Sequence, residues 1–224
     1  MKLNRLFANA GLSAWVLMLC ACASGPLTPD WQLTASASLE RSVAAYLSGK
    51  DRVADQEFAR ARNELASTGQ ATLVARAELM RCASQVASLV FNDCPGFESL
   101  RVDAAAPELA YAAYLAGSAQ PSDVALLPET QRAIATSSVS ALTANVAAIK
   151  DPFARLVAAG VLMRSGRADP ALLALAVDSA ASQGWRRPLL AWLAVQAMRA
   201  EKSGELQEAQ SLRRRMALVE QTSQ

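Results

Sequence analysis

Apolar residues in this chain recur three and four positions apart, and a glycine follows most of the runs they form. Leu39, Val43 and Leu47 lie four apart and precede Gly49; Ala54, Phe58, Ala61 and Leu65 precede Gly69. That spacing is the period of one helix face, not the alternation of a strand. Glycine is the residue that most readily takes the left-handed conformation just past a helix end, so these positions read as stops. Hydrophobic residues make up 52% of the sequence but aromatic ones only 5%, and isoleucine occurs only at Ile134 and Ile149. The apolar content is therefore Ala, Leu and Val, with strong helix formers dominant and few strand formers. The predicted fold class is all-α.

Taken in order, the pattern predicts a first helix over Leu33–Leu47, a second capped by Asp51, and a third from about Gln70 carrying Leu73, Ala77, Met80 and Ala87. Residues 92–106 are the least regular. A helix starts at Pro107, Pro121 and Pro128 bracket a short segment, and one or two helices fill 129–149, with Ser137, Ser138 and Ser140 as a candidate break. From Asp151 the pattern sharpens into helices at 152–164, 170–182, 188–202 and 205–221. The helix from Pro188 is apolar on nearly every side, which predicts nearly complete cover. In the last helix Leu206, Ala209, Leu212, Met216 and Val219 make one stripe, as a terminal helix closing a stack would need.

The N-terminus reads differently. Lys2 and Arg5 precede an uncharged, mostly apolar run, Ala10–Leu19, which ends at Cys20-Ala21-Cys22. A basic start, a short apolar stretch and a small residue before a cleavage point form an export signal. The run is about half the ~20 residues that span a bilayer. An ordinary secretory signal cut near Ala23 is one reading. Ending on Leu19-Cys20-Ala21-Cys22, the segment resembles the signal of bacterial lipoproteins. That resemblance implies removal of residues 1–21, a lipid on Cys22, a tether over 22–31 and a single domain over 32–224. With Ala23 rather than Asp after the cysteine, it also implies the outer membrane, facing the periplasm.

Lys2 and Arg5 would leave with that signal, taking Lys and Arg from 22 to 20, against 20 Asp and Glu. A neutral chain does not provide the unpaired cations of a broad nucleic-acid surface. Nor does it bind membranes by charge, so the lipid would provide attachment.

Ala44-Ala45-Tyr46-Leu47-Ser48-Gly49 returns as Ala112-Ala113-Tyr114-Leu115-Ala116-Gly117, 68 residues later. Glycine followed five positions on by alanine occurs at Gly49/Ala54, Gly166/Ala171 and Gly204/Ala209. This resembles tetratricopeptide repeats, whose unit is 34 residues of helix-turn-helix. The resemblance implies antiparallel hairpins stacked as an α-solenoid with a concave binding face; an irregular helical bundle is the other arrangement such helices allow.

Chemistry-bearing residues are few. Cys82 and Cys94 are the two further cysteines, and in an oxidising compartment they could bond. A helix continuous to Asn92 would hold them too far apart, so a bridge requires the third helix to stop near Ser88 and the chain to double back through Leu89, Val90 and Phe91. Two free thiols are the other reading. The sequence has no histidine, the commonest general base and metal ligand, and no phosphate-loop motif. No cofactor, metal site or small-molecule substrate is predicted. Lys50, Lys150 and Lys202 read as solvated helix ends, Arg186-Arg187 and Arg213-Arg214-Arg215 as solvated surface, Trp185 and Trp192 as core. The expectation is a non-enzymatic, lipid-anchored envelope adaptor that binds a protein or peptide. An enzyme working with carboxylates alone, such as a cell-wall glycosidase, and a purely structural lipoprotein are the alternatives.

Overall fold

The computed structural model describes residues 28–221. Among them the fold is all-α, built of antiparallel hairpins in a solenoid-like stack. The helices are α1 Asp30–Leu47, α2 Asp51–Ala66, α3 Ala71–Ala87, α4 Pro95–Glu98, α5 Ala106–Leu115, α6 Glu129–Ala135, α7 Leu142–Ala148, α8 Pro152–Arg164, α9 Pro170–Ser182, α10 Arg186–Lys202 and α11 Leu206–Gln221. Short 3-10 turns lie at Arg101–Asp103, Pro121–Leu126 and Val139–Ala141. The break between α6 and α7 falls at the serines, where the Ser137 and Thr136 hydroxyls donate to the carbonyl oxygens of Ala133 and Arg132. Such side-chain hydrogen bonds compete with the helix ladder.

Local chemistry explains the sharper ends. Asp151 and Asp169 each precede a proline, and each carboxylate accepts from a backbone N–H, of Ala154 at 2.6 Å and Leu172 at 2.7 Å. An acidic cap followed by proline at the first helical position is a strong helix start. Asp51 does not cap. It is the first residue of α2, and its carboxylate instead pairs with Arg187. Helix α1 begins at Asp30, so Trp31, expected in the tether, is helical. At the other end of α1, Gly49 has φ 78° and its neighbour Lys50 donates to Ala45 O at 2.8 Å.

The core runs through α3, α8 and α10. Phe153 and Trp185 lie beside Met80 in one hollow. Seven residues further along each helix, Gly160 lies against Val86, and Trp192 Nε1 donates to Ala87 O at 3.1 Å. Rising numbers meet rising numbers, so α3, α8 and α10 run in one direction, with two matched levels about 10 Å apart. Helix α1 joins this layer. Its Leu39 and Val43 sit at the first level, and its C-terminal end is clasped to α10: Arg187 Nε donates to Tyr46 O at 2.8 Å, with the guanidinium 4.3 Å from the Tyr46 ring centre. Burial raises the Tyr46 hydroxyl above its usual pKa, although Arg187 pulls it down.

Several expectations are corrected by packing. Helix α10 is not covered on nearly all sides: Trp192 and Leu193 are buried, but Met198 is exposed. In α11 Ala209 and Leu212 are buried while Leu206 is exposed, so the stripe begins one turn later. Of the three alanines five positions after a glycine, Ala54 and Ala209 are buried and Ala171 is exposed. Arg187 is a structural clasp, not a solvated side chain.

Candidate functional site

Cys22, residues 1–21 and most of the tether fall outside the described residues. The bridge between Cys82 and Cys94 is formed, with Cα atoms 5.7 Å apart. The chain doubles back as the spacing demanded. Helix α3 stops at Ala87; Leu89, at φ 59°, donates to Val86 O, and Val90 donates to Gln85 O at 2.9 Å. That is the hydrogen-bond pair glycine usually closes, adopted here by leucine at a cost of about 1–2 kcal/mol. Asn92 then turns the chain, its Oδ1 accepting from Cys94 N at 3.0 Å. The bridge and the Trp192 bond to Ala87 O together secure the end of α3. These residues form a staple; the open surface lies at the other end of the helix.

That surface is a trough along α1. One hollow of about 430 Å³ is lined from α1 by Trp31, Gln32, Ala35, Ser36 and Leu39, from α2 by Leu65, and from the α3 side by Gln70, Leu73, Arg76 and Ala77. A second, of about 340 Å³, shares Ser36 and Leu39 and continues through Glu40, Val43 and Ala44 to Met80, Phe153 and Trp185. The shared residues make the two hollows one trough. Thirteen residue steps of α1, about 20 Å, form its floor. The α1 residues repeat every three or four positions, and those of α3 do likewise, so each helix presents one ridge.

Leu39, Val43, Leu73, Met80, Phe153 and Trp185 are half-buried. They are large apolar side chains partly open to solvent in a concavity, the composition of binding surfaces. Sequence periodicity placed Leu39, Val43, Leu73 and Met80 on core stripes, and Trp185 in the core. Phe153 was not singled out. The available signal was weak: in α3 the stripe Leu73, Ala77, Met80 competes with a second, stronger one, Val74, Leu79, Cys82 and Val86, which the fold buries.

Charge in the trough is sparse. Its charged side chains are Glu40 and Arg76. Arg76 Nε donates to Glu108, whose side chain is 4% exposed. Glu40 makes no ion pair among the described residues, and its one side-chain contact is a long hydrogen bond from Ser36 Oγ at 3.4 Å. The buried carboxylates Glu78 and Glu108 each face a guanidinium, Arg62 at 2.9 Å for Glu78, and neither lines the trough. Burial raises the Tyr114 hydroxyl above its usual pKa. Tyr114 donates to Gln131, whose amide donates to Ala154 O at 3.1 Å, a relay that fixes α5 and α6 to α8.

Among the described residues no group of three or more His, Cys, Asp or Glu could hold a metal ion, and no helix is long and apolar enough to cross a membrane. Lys50, Lys150 and Lys202 are exposed helix ends, and Arg213 pairs with Glu201 while Arg214 and Arg215 face solvent. No protein-family model, no curated protein and no solved structure matches the chain.

Proposed function

We propose that this chain is a non-enzymatic, lipid-anchored adaptor of the bacterial cell envelope that holds a peptide segment of another protein in the α1–α3 trough. The trough carries the reading: an elongated, largely apolar concavity between parallel helices suits a chain segment better than a compact metabolite. The arrangement fits a divergent tetratricopeptide-like array, in which stacked hairpins offer an extended concave face. The lipobox-like Leu19-Cys20-Ala21-Cys22 supports a diacylglyceryl thioether on Cys22, with attachment to the outer membrane on its periplasmic side. With α1 starting at Asp30, a tether of seven residues, Ala23–Pro29, would reach at most about 25 Å, so the trough would work close to the bilayer.

The test has two parts. Mass spectrometry of the N-terminal peptide should find an acylated Cys22, and Cys22→Ser should move the chain from the membrane to the soluble fraction. A photo-cross-linking residue in place of Met80 should capture one reproducible envelope protein in intact cells, whereas the same residue in place of Val139, exposed on the turn between α6 and α7 and outside the trough lining, should not. An unmodified N-terminus on cytosolic protein would end the localisation reading, and identical captures from both positions would end the binding one.

A further inference from the structure

The trough is apolar along both walls but not neutral. Arg76 is consumed by Glu108, which leaves Glu40 as its one charge without an opposite partner among the described residues. Glu40 sits where the second hollow opens, one turn from both Ser36 and Ala44 on α1 and beside the apolar end formed by Met80, Phe153 and Trp185. A carboxylate at the mouth of an apolar hollow attracts a cation carried on an apolar body. Glu40 is exposed in the free chain, and an apolar occupant seated beside it would exclude water and strengthen that attraction.

The shape selects the form of the occupant. Two helical ridges flank the trough over about 20 Å, the length of 13 to 14 helical residues and of only about six extended ones. A third helix can set its own ridge between two such ridges, with side chains at i, i+4 and i+7 entering the hollow. We propose that the trough takes an amphipathic helix whose apolar stripe seats on Leu39, Val43, Met80, Phe153 and Trp185 and whose Lys or Arg meets Glu40. This rests on the peptide-binding reading above and names the chemistry of its partner. Met80 supplies an adaptable wall, and Trp185 and Phe153, at the starts of α10 and α8, supply a rigid one.

A display library of random 14-residue peptides, selected against the whole purified chain, tests it. Enriched peptides should carry apolar residues at helical spacing with a Lys or Arg among them. Each should bind Glu40→Lys at least ten-fold more weakly, and should recover on that variant when its own basic residue becomes Glu. Trp185→Ala should weaken the same peptides about ten-fold, with helix content checked by circular dichroism. Peptides weakened by Trp185→Ala but indifferent to Glu40→Lys would overturn the charge pairing and leave peptide binding standing. Peptides indifferent to both variants, an empty selection, or a concentration-dependent dimer abolished by Trp185→Ala would overturn the proposal. An empty selection would also remove the peptide-binding reading beneath it.

Discussion

Helix α3 is closed at one end and open at the other. At the level of Val86 and Ala87 it meets α8 and α10 without space between them. Gly160 has no side chain, and a Cβ there would lie 2.2 Å from Val86 O. At the level of Met80, one helical repeat earlier, Phe153 and Trp185 stand where Gly160 and Trp192 stand below. Both are aromatic, Phe153 is the second residue of α8 and Trp185 immediately precedes α10, and neither is fully buried. Small residues and captured carbonyls let helices of one layer touch; bulky residues at helix starts hold them apart and leave a hollow. One helix can therefore serve as core and as binding wall.

Adjacent residues of α3 offer the sharpest way to break this comparison. Leu79 is 2% exposed and faces the core, while Met80 faces the trough. Leu79→Ala should cost about 3 kcal/mol in urea unfolding, against about 1 kcal/mol or less for Met80→Ala. Equal losses would mean that the trough wall is core. Next comes the staple. Removing the bridge with paired Cys82→Ala and Cys94→Ala should cost between about 2 and 3 kcal/mol, given its sequence separation of 12 residues. Unchanged stability would show that Trp192 alone holds the end of α3.

Gly160→Ala follows. Helix propensity favours alanine by about 1 kcal/mol, but the clash with the Val86 carbonyl is with backbone and must move a helix, so a net loss of about 2 kcal/mol is expected. A gain in melting temperature would refute the tight crossing. Smallest is Trp192→Phe, which keeps most of the ring volume and deletes the bond to Ala87 O, for about 1 kcal/mol. Amide exchange should rise at Leu89 and Val90 in that variant while the trough face of α3 stays unchanged.

The long, periodic helices and their stops were legible because they depend on neighbours within one turn. Asp151-Pro152 and Asp169-Pro170 carry cap and first-turn signals in adjacent positions, and α8 and α9 begin where those signals predict. The bridge was legible as a geometric condition: if Cys82 and Cys94 pair, α3 must end near Ser88, and it does. The trough was not legible. Leu39, Val43 and Met80 have the same spacing as buried stripes, and periodicity cannot distinguish a face covered by another helix from a face left open.

The sequence by itself determined an all-α chain of hairpins, the positions of most turns, and the conditions for one covalent staple. All of these follow from interactions within a few residues or from the reach of a helix. Only the tertiary structure decided that α1, α3, α8 and α10 share a direction, that Arg187 clasps the first hairpin to the fourth helix of that layer, and that Trp185 borders a hollow while Trp192 fills the core. Those outcomes depend on which surfaces meet across more than a hundred residues of chain. There the volume of a single side chain, absent at Gly160 and large at Phe153, sets whether two helices touch or stand apart.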